Sequence, residues 1–193
     1  MKNIFLIGDS IRFGSLKSPG YGIYVKKQLA NQANVYAPDE NCRFVQYTLR
    51  YLHEWAADID KESIDIVHWN NGLWDVLRLL GDEPFTPCDV YADTLERVYR
   101  RIRKLFPHAR IIFATSTPVI EEMATPEFER RNTDIALYNQ AAIDRLVPLG
   151  VEINDLYQIA SRFDYSLYAD WVHFNEAGSE KLAQAVIAKL MSF

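Results

Sequence analysis

A serine follows a strand-like apolar run almost at the start of this sequence. In NIFLIGDSIRFGS, positions 3–15, Ile4 to Ile7 lead straight into Gly8-Asp9-Ser10. The Ser10 hydroxyl therefore lies at the first point where the chain can bend. A serine hydroxyl is a weak nucleophile and needs a base, usually an imidazole that is itself held by a carboxylate. Four histidines are available: His53, His68, His108 and His173. His53 falls in a helical pattern and His108 follows Pro107 in a turn, so both read as structural or solvated. His68 ends an apolar run beside Trp69 and reads as a pocket-wall histidine. His173 differs, because in YADWVHFNEAGSEKLAQAV it has Asp170 three residues before it and a helical pattern just after. One tight turn over 170–173 would bring the carboxylate to Nδ1 and leave Nε2 facing a hydroxyl. Asn175 then supplies an N-cap that anchors the turn on the last helix. Taken alone, an Asp-x-x-His is a weak signal and reads more readily as an ordinary loop.

The third element is IVHWNNGLWD, residues 66–75. Acyl transfer builds negative charge on an oxygen, and preorganised donors there lower the barrier by about 3 kcal/mol each. Asn70 or Asn71 can present an amide at that place, although Asn-Asn-Gly is also good turn chemistry. The Glu121-Glu122 pair in the Thr117–Pro126 loop reads as the solvated edge of a lid over the site. No second carboxylate is positioned opposite it for glycosidase chemistry. Asp9, Asp170 and His173 would also suit a metal-dependent hydrolase, but they come without a second histidine.

These residues need a frame to bring them together. At 193 residues, 49% apolar and 24% charged, the chain reads as one soluble globular domain spanning 1–193. A net charge of −5 argues against a general nucleic-acid or membrane-surface binder. The local basic cluster Arg97, Arg100, Arg101, Arg103 and Lys104 spreads around a helix and reads as a solvated face. Cys42 and Cys88 form neither a CxxC nor a stapled framework. No run approaches the ~18 apolar residues of a membrane span, and the expected location is cytoplasmic.

Short apolar runs alternate with helical patterns. Strands are expected at Ile4–Ile7, Asn34–Ala37, Ile64–Trp69, Arg110–Thr115 and Val151–Ile153. Helices are expected around Ile23 to Ala30, from Phe44 to about Ala57, over Cys88–Phe106, from about Glu127 to Pro148, and over Asn175–Met191. In the third of these, Val90, Leu95, Val98, Ile102 and Leu105 are expected to face inward. The alternation implies βαβ units and a parallel sheet, with the ligand site beyond the C-terminal strand ends. Ser10 and Asn70 both lie at such ends.

Taken together, GDS at 8–10, NN at 70–71 and DWVHF at 170–174 resemble the SGNH (GDSL-type) hydrolases, in that family's order and over nearly the whole chain. The resemblance implies an α/β fold: a flavodoxin-like, three-layer α/β/α sandwich on a five-stranded parallel sheet. It implies Ser10 as nucleophile, His173 as general base and Asp170 as its orienting acid. Asn70 would give the oxyanion-hole side chain, joined by the Ser10 backbone N–H. Two departures stand out. The family's Gly-x-Asn-Asp block reads His68-Trp69-Asn70-Asn71 here, and its second-block glycine is missing from APDENCRF. A backbone N–H of Asn41 or Cys42 would have to take that glycine's place. The implied activity is a serine esterase acting on a small acyl ester, such as an acetyl ester, with no metal or organic cofactor. Some related esterases deacetylate carbohydrates, and Trp69, Trp74 and Trp171 beside the motifs would suit a sugar ring. Singly, each reads as core or rim packing. The alternative is a non-catalytic carbohydrate- or nucleotide-binding module on the same fold.

Overall fold

The computed structural model describes residues 1–193. Five strands form one parallel sheet: β1 (Lys2–Ile7), β2 (Ala33–Tyr36), β3 (Ile66–Trp69), β4 (Arg110–Ala114) and β5 (Glu152–Asn154). Their spatial order is β2-β1-β3-β4-β5. Seven helices accompany them: α1 (Ser10–Phe13), α2 (Tyr21–Gln28), α3 (Val45–Trp55), α4 (Cys88–Leu105), α5 (Asn132–Leu146), α6 (Leu156–Ala160) and α7 (Glu176–Leu190). Helices α3, α4 and α5 pack in sequence as one outer layer, while α2, α6 and α7 form the other. This is the three-layer α/β/α sandwich with flavodoxin-like strand order.

Strand composition follows from the two covering layers. Every residue of β3 is buried, the pattern of a parallel strand with helices on both faces. Ile7 pairs in register with Trp69, and Trp69 with Phe113, so β1, β3 and β4 end together. The chain winds one way from β1 to β2 and the other way from β3 onward. The crevice at that reversal, between the ends of β1 and β3, is where a ligand site is expected.

Several boundaries differ from the sequence pattern. Val90 is exposed, because Tyr91, Leu95, Val98 and Ile102 hold the buried stripe of α4 and Val90 lies one residue out of phase. Helix α5 begins at Asn132, five residues after the expected Glu127. The chain before it pairs Phe128–Glu129 antiparallel with Arg78–Leu79 instead. The helical path then continues through a 3₁₀ turn, Val147–Leu149, and stops at Gly150 with φ 80°. Helix α6 was not expected. No helix is long and apolar enough to cross a membrane.

Asp75 lies fully buried under this frame. Its Oδ1 accepts the Val45 N–H at the start of α3, 3.1 Å away. Burial pushes its carboxyl up to about 7, against the opposing pull of that N–H. A folded pKa raised above the unfolded one favours the protonated form, so the stability it contributes is present below about pH 4 and lost as pH rises through about 7. Asp75→Asn keeps an oxygen for Val45 and cannot ionise. The variant is expected to match the wild type near pH 4 and to exceed it at pH 8 by on the order of 1–4 kcal/mol. Urea denaturation at the two pH values checks this, and a wild-type-minus-variant difference independent of pH would refute it.

Candidate active site

The nucleophile candidate is set by a single turn of helix. Asp9 caps α1: its Oδ1 accepts the Ile11 N–H at 2.9 Å, so the chain turns sharply out of β1 and Ser10 opens the helix. Asp9 is buried, which pushes its carboxyl up despite the Ile11 amide and the nearby cations. Arg12 then reaches across to the loop after β2. Its Nη1 donates to the Pro38 carbonyl (2.9 Å), and its Nη2 to those of Glu40 (2.6 Å) and Gly8 (3.3 Å). This buried guanidinium holds the Pro38–Cys42 loop against the Ser10 turn. Its signal in the sequence is Ile11-Arg12 following Gly-Asp-Ser where a polar turn would be ordinary, which by itself marks no role.

The second segment builds itself locally. Asp170 Oδ1 accepts the backbone N–H groups of Val172 (2.8 Å) and His173 (2.7 Å), closing the turn. The His173 carbonyl accepts the Ala169 N–H at 2.8 Å. Asn175 caps α7 by accepting the Gly178 N–H at 3.1 Å. Ser18, in the small hairpin after α1, donates its hydroxyl to the Phe174 carbonyl and so ties the two segments together. Across this junction His173 Nε2 lies 2.8 Å from Ser10 Oγ, and His173 Nδ1 lies 2.9 Å from Asp170 Oδ2. With a proton on Nδ1 donated to Asp170, Nε2 is left to accept from the serine hydroxyl. Burial alone would raise the Asp170 carboxyl, but the His173 and Val172 amides and the imidazole together hold it below the usual carboxylate range.

The third segment leaves β3. The Asn70 amide donates to the Ala114 carbonyl at 2.9 Å, which leaves its second N–H without a protein acceptor. Asn71 is used up structurally: it donates to the Arg43 carbonyl (3.0 Å) and Thr48 Oγ1 (2.9 Å) and accepts from Trp69 Nε1 (3.0 Å). Gly72 has φ 149°, and a Cβ there would come 2.2 Å from Ser116 Oγ, so this turn demands glycine. The backbone N–H of Asn41 has no protein acceptor.

Trp69 cannot touch a ligand: it has no exposed surface and packs edge-on against Phe113, ring centres 4.9 Å apart. A strand covered on both faces has no outward side, which periodicity did not reveal. The Cys42 N–H is spent on the Gly8 carbonyl at 3.1 Å, so of Asn41 and Cys42 only Asn41 has an amide to offer. His68 lies inside the sheet rather than on a pocket wall. Burial lowers it to about 3, and its neutral Nε2 accepts from the Asn154 amide at 3.1 Å. The Thr117–Pro126 loop buttresses the site instead of covering it, with the Ile120 N–H donated to the Trp171 carbonyl at 2.8 Å.

The resulting cleft of about 330 Å³ is lined by Ser10 and His173, with Trp74, Trp171, Phe128 and Arg130 among its walls. That volume suits a small ligand. Trp74 and Trp171 thus border the cleft. Phe128 and Arg130, which precede α5, were not singled out in the sequence. No three His, Cys, Asp or Glu side chains cluster at metal-ligand spacing.

Comparison with known proteins agrees with this layout. The sequence profile of the GDSL-like lipase/acylhydrolase family matches residues 6–181. A GDSL esterase/lipase of Arabidopsis thaliana is 24% identical over 198 aligned residues, covering 95% of this chain and 77% of the relative. The crystal structure of a lipase/acylhydrolase from Enterococcus faecalis superposes with a TM-score of 0.77 at 22% identity, covering 98% of this chain and 95% of that one. That of an acetyl xylan esterase, AlAXEase, superposes with a TM-score of 0.76 at 16% identity, covering 98% of this chain and all of that one.

Proposed function

This chain belongs to the GDSL-like lipase/acylhydrolase family, and from that premise we propose that it is a serine esterase cleaving a small acyl ester through an acyl-enzyme. The observation that carries the reading is the relay from Ser10 Oγ to His173 Nε2, 2.8 Å, and from His173 Nδ1 to Asp170, 2.9 Å.

In this mechanism Ser10 Oγ attacks the ester carbonyl while His173 Nε2 takes its proton. Asp170 accepts the Nδ1–H, fixes the tautomer and stabilises the imidazolium. The tetrahedral oxyanion is met by the backbone N–H groups of Ser10 and Asn41 and by the remaining Asn70 amide N–H. Collapse breaks the bond to the alcohol oxygen, which receives the Nε2 proton and leaves. Water then attacks the acyl-serine as Nε2 takes its proton, and collapse breaks the acyl–Oγ bond while Nε2 returns that proton to Ser10 Oγ, releasing the acid. No metal or organic cofactor enters these steps.

The cleft volume favours a short acyl group such as acetyl. Trp74 and Trp171 on its walls suit the face of a sugar ring, and one of the similar folds is an acetyl xylan esterase. The reading therefore extends to an acetylated carbohydrate. Cys42 and Cys88 are both unpaired, which supports a reducing compartment such as the cytoplasm.

A fluorophosphonate probe tests the nucleophile directly. Peptide mass analysis is expected to find the phosphonyl adduct on Ser10 and none on the Ser10→Ala protein. A folded protein left unlabelled at Ser10 would overturn the esterase in favour of a passive binding module.

A further inference from the structure

Two arginines are buried near the site, and they are used differently. Arg12 spends both terminal nitrogens on backbone carbonyls. Arg130, which is 5% exposed, spends only its Nε, on the Leu73 carbonyl. Its Nη1 and Nη2 make no hydrogen bond with the protein, and it takes part in no ion pair within 4.0 Å. The guanidinium carbon sits 5.4 Å from the Phe128 ring centre and 5.5 Å from that of Trp171, in the wall of the cleft that holds Ser10 and His173.

Burying a cation without partners is costly, and the two aromatic faces offset only part of that cost. Burial lowers the Arg130 guanidinium to about 10 while Asp9 and Asp170 draw it upward, so it is still charged at neutral pH. Neither carboxylate is its partner. Asp170 is committed to His173 and two amides, and Asp9 caps α1. What Arg130 lacks is a planar anion able to take two parallel N–H donors at once, which is the geometry of a carboxylate.

We propose that Arg130 is the specificity contact of this cleft, and that the ester bound there carries a carboxylate on its alcohol or acyl portion. The ester part of this statement rests on the serine-esterase reading; the anion site does not. An uncharged ester leaves the fork, which opens on the cleft, without an anion, whereas a carboxylate-bearing one supplies it.

Calorimetry on the Ser10→Ala protein measures binding without turnover. One arm compares 3-acetoxybenzoate with its methyl ester, placing the carboxylate on the alcohol. The other compares monophenyl adipate with phenyl hexanoate, placing it on the acyl chain. In at least one arm the carboxylate is expected to bind roughly 10- to 100-fold more tightly, a preference that Arg130→Gln added to Ser10→Ala removes. Arg130→Lys, which keeps the charge and loses the fork, is expected to retain a preference weakened by about threefold or more but not abolished. Circular dichroism establishes that each variant is folded. Should the glutamine variant not fold, the lysine variant and the parent protein decide. Equal binding of charged and uncharged partners in both arms overturns the proposal. So does a preference that survives Arg130→Gln, or carboxylate binding unchanged by Arg130→Lys. Fluorophosphonate labelling of Ser10 with no carboxylate preference removes this inference alone. A carboxylate preference without labelling supports the anion site and removes the esterase.

Discussion

Ser10→Ala is expected to lower kcat/KM for p-nitrophenyl acetate by about 10³- to 10⁶-fold, with the fold and the cleft intact. In the proposed mechanism the hydroxyl is the atom that forms the acyl-enzyme, and no neighbouring serine is free to replace it. Ser18 and Ser179 both direct their hydroxyls to the Phe174 carbonyl. His173→Ala should cost about as much, since an unassisted serine hydroxyl is not ionised at neutral pH. The double variant should be hardly worse than either single one, because each removal already disables the same proton relay. Retention of more than a tenth of the rate by the alanine variant at position 10 would show that another group attacks. A double variant with the product of the two single losses would show that serine and imidazole act independently.

The second large effect falls on the carboxylate. Asp170→Asn is expected to reduce kcat at neutral pH by about 10²- to 10⁴-fold with KM little changed. The asparagine oxygen can still accept the Val172 and His173 amides, so the turn is preserved. Its NH₂ group then faces His173 Nδ1 as a donor and forces the imidazole proton onto Nε2. That nitrogen can no longer accept from Ser10. In the wild type the carboxyl is held below its ordinary value, so it is ionised throughout the neutral range. With the folded pKa depressed, the stability it lends is present above about pH 4 and declines only as pH falls further. Loss of activity near neutral pH is therefore not a titration of Asp170. Steady-state kinetics on the variant, with a thermal melt to compare folding, checks both statements. A variant of near wild-type kcat would mean that the carboxylate merely shapes the loop.

Glu121 and Glu122 are exposed, as are Arg97, Arg100 and Lys104 of α4, whereas Arg101 and Arg103 are half-buried and donate to the carbonyls of Leu49 and of Pro107 and Ala109. The differences lie inside the molecule. Phe128 was expected in a helix but is drawn into pairing with Leu79 and turns its ring beside the guanidinium of Arg130. Arg12 and Arg130 have the polarity of surface residues and carry no motif, so nothing local marks them as buried. Their environment comes from loops that follow different strands, and those contacts appear only when the sheet order is known.

By itself the sequence determined the alternation of strands and helices, the seat of Ser10 at the end of β1, and the spacing that puts Asp170 within one turn of His173. Each depends on spacing within a few residues, where backbone geometry dictates what can meet. The tertiary structure alone decided that His173 reaches Ser10 across 163 positions. It also decided that Trp69 lies in the core while Trp171 borders the cleft, and that Arg130 enters the wall without an ionic partner. Those outcomes depend on which layers cover each strand and which loops converge at the reversal of the sheet, and periodicity along one chain carries neither piece of information.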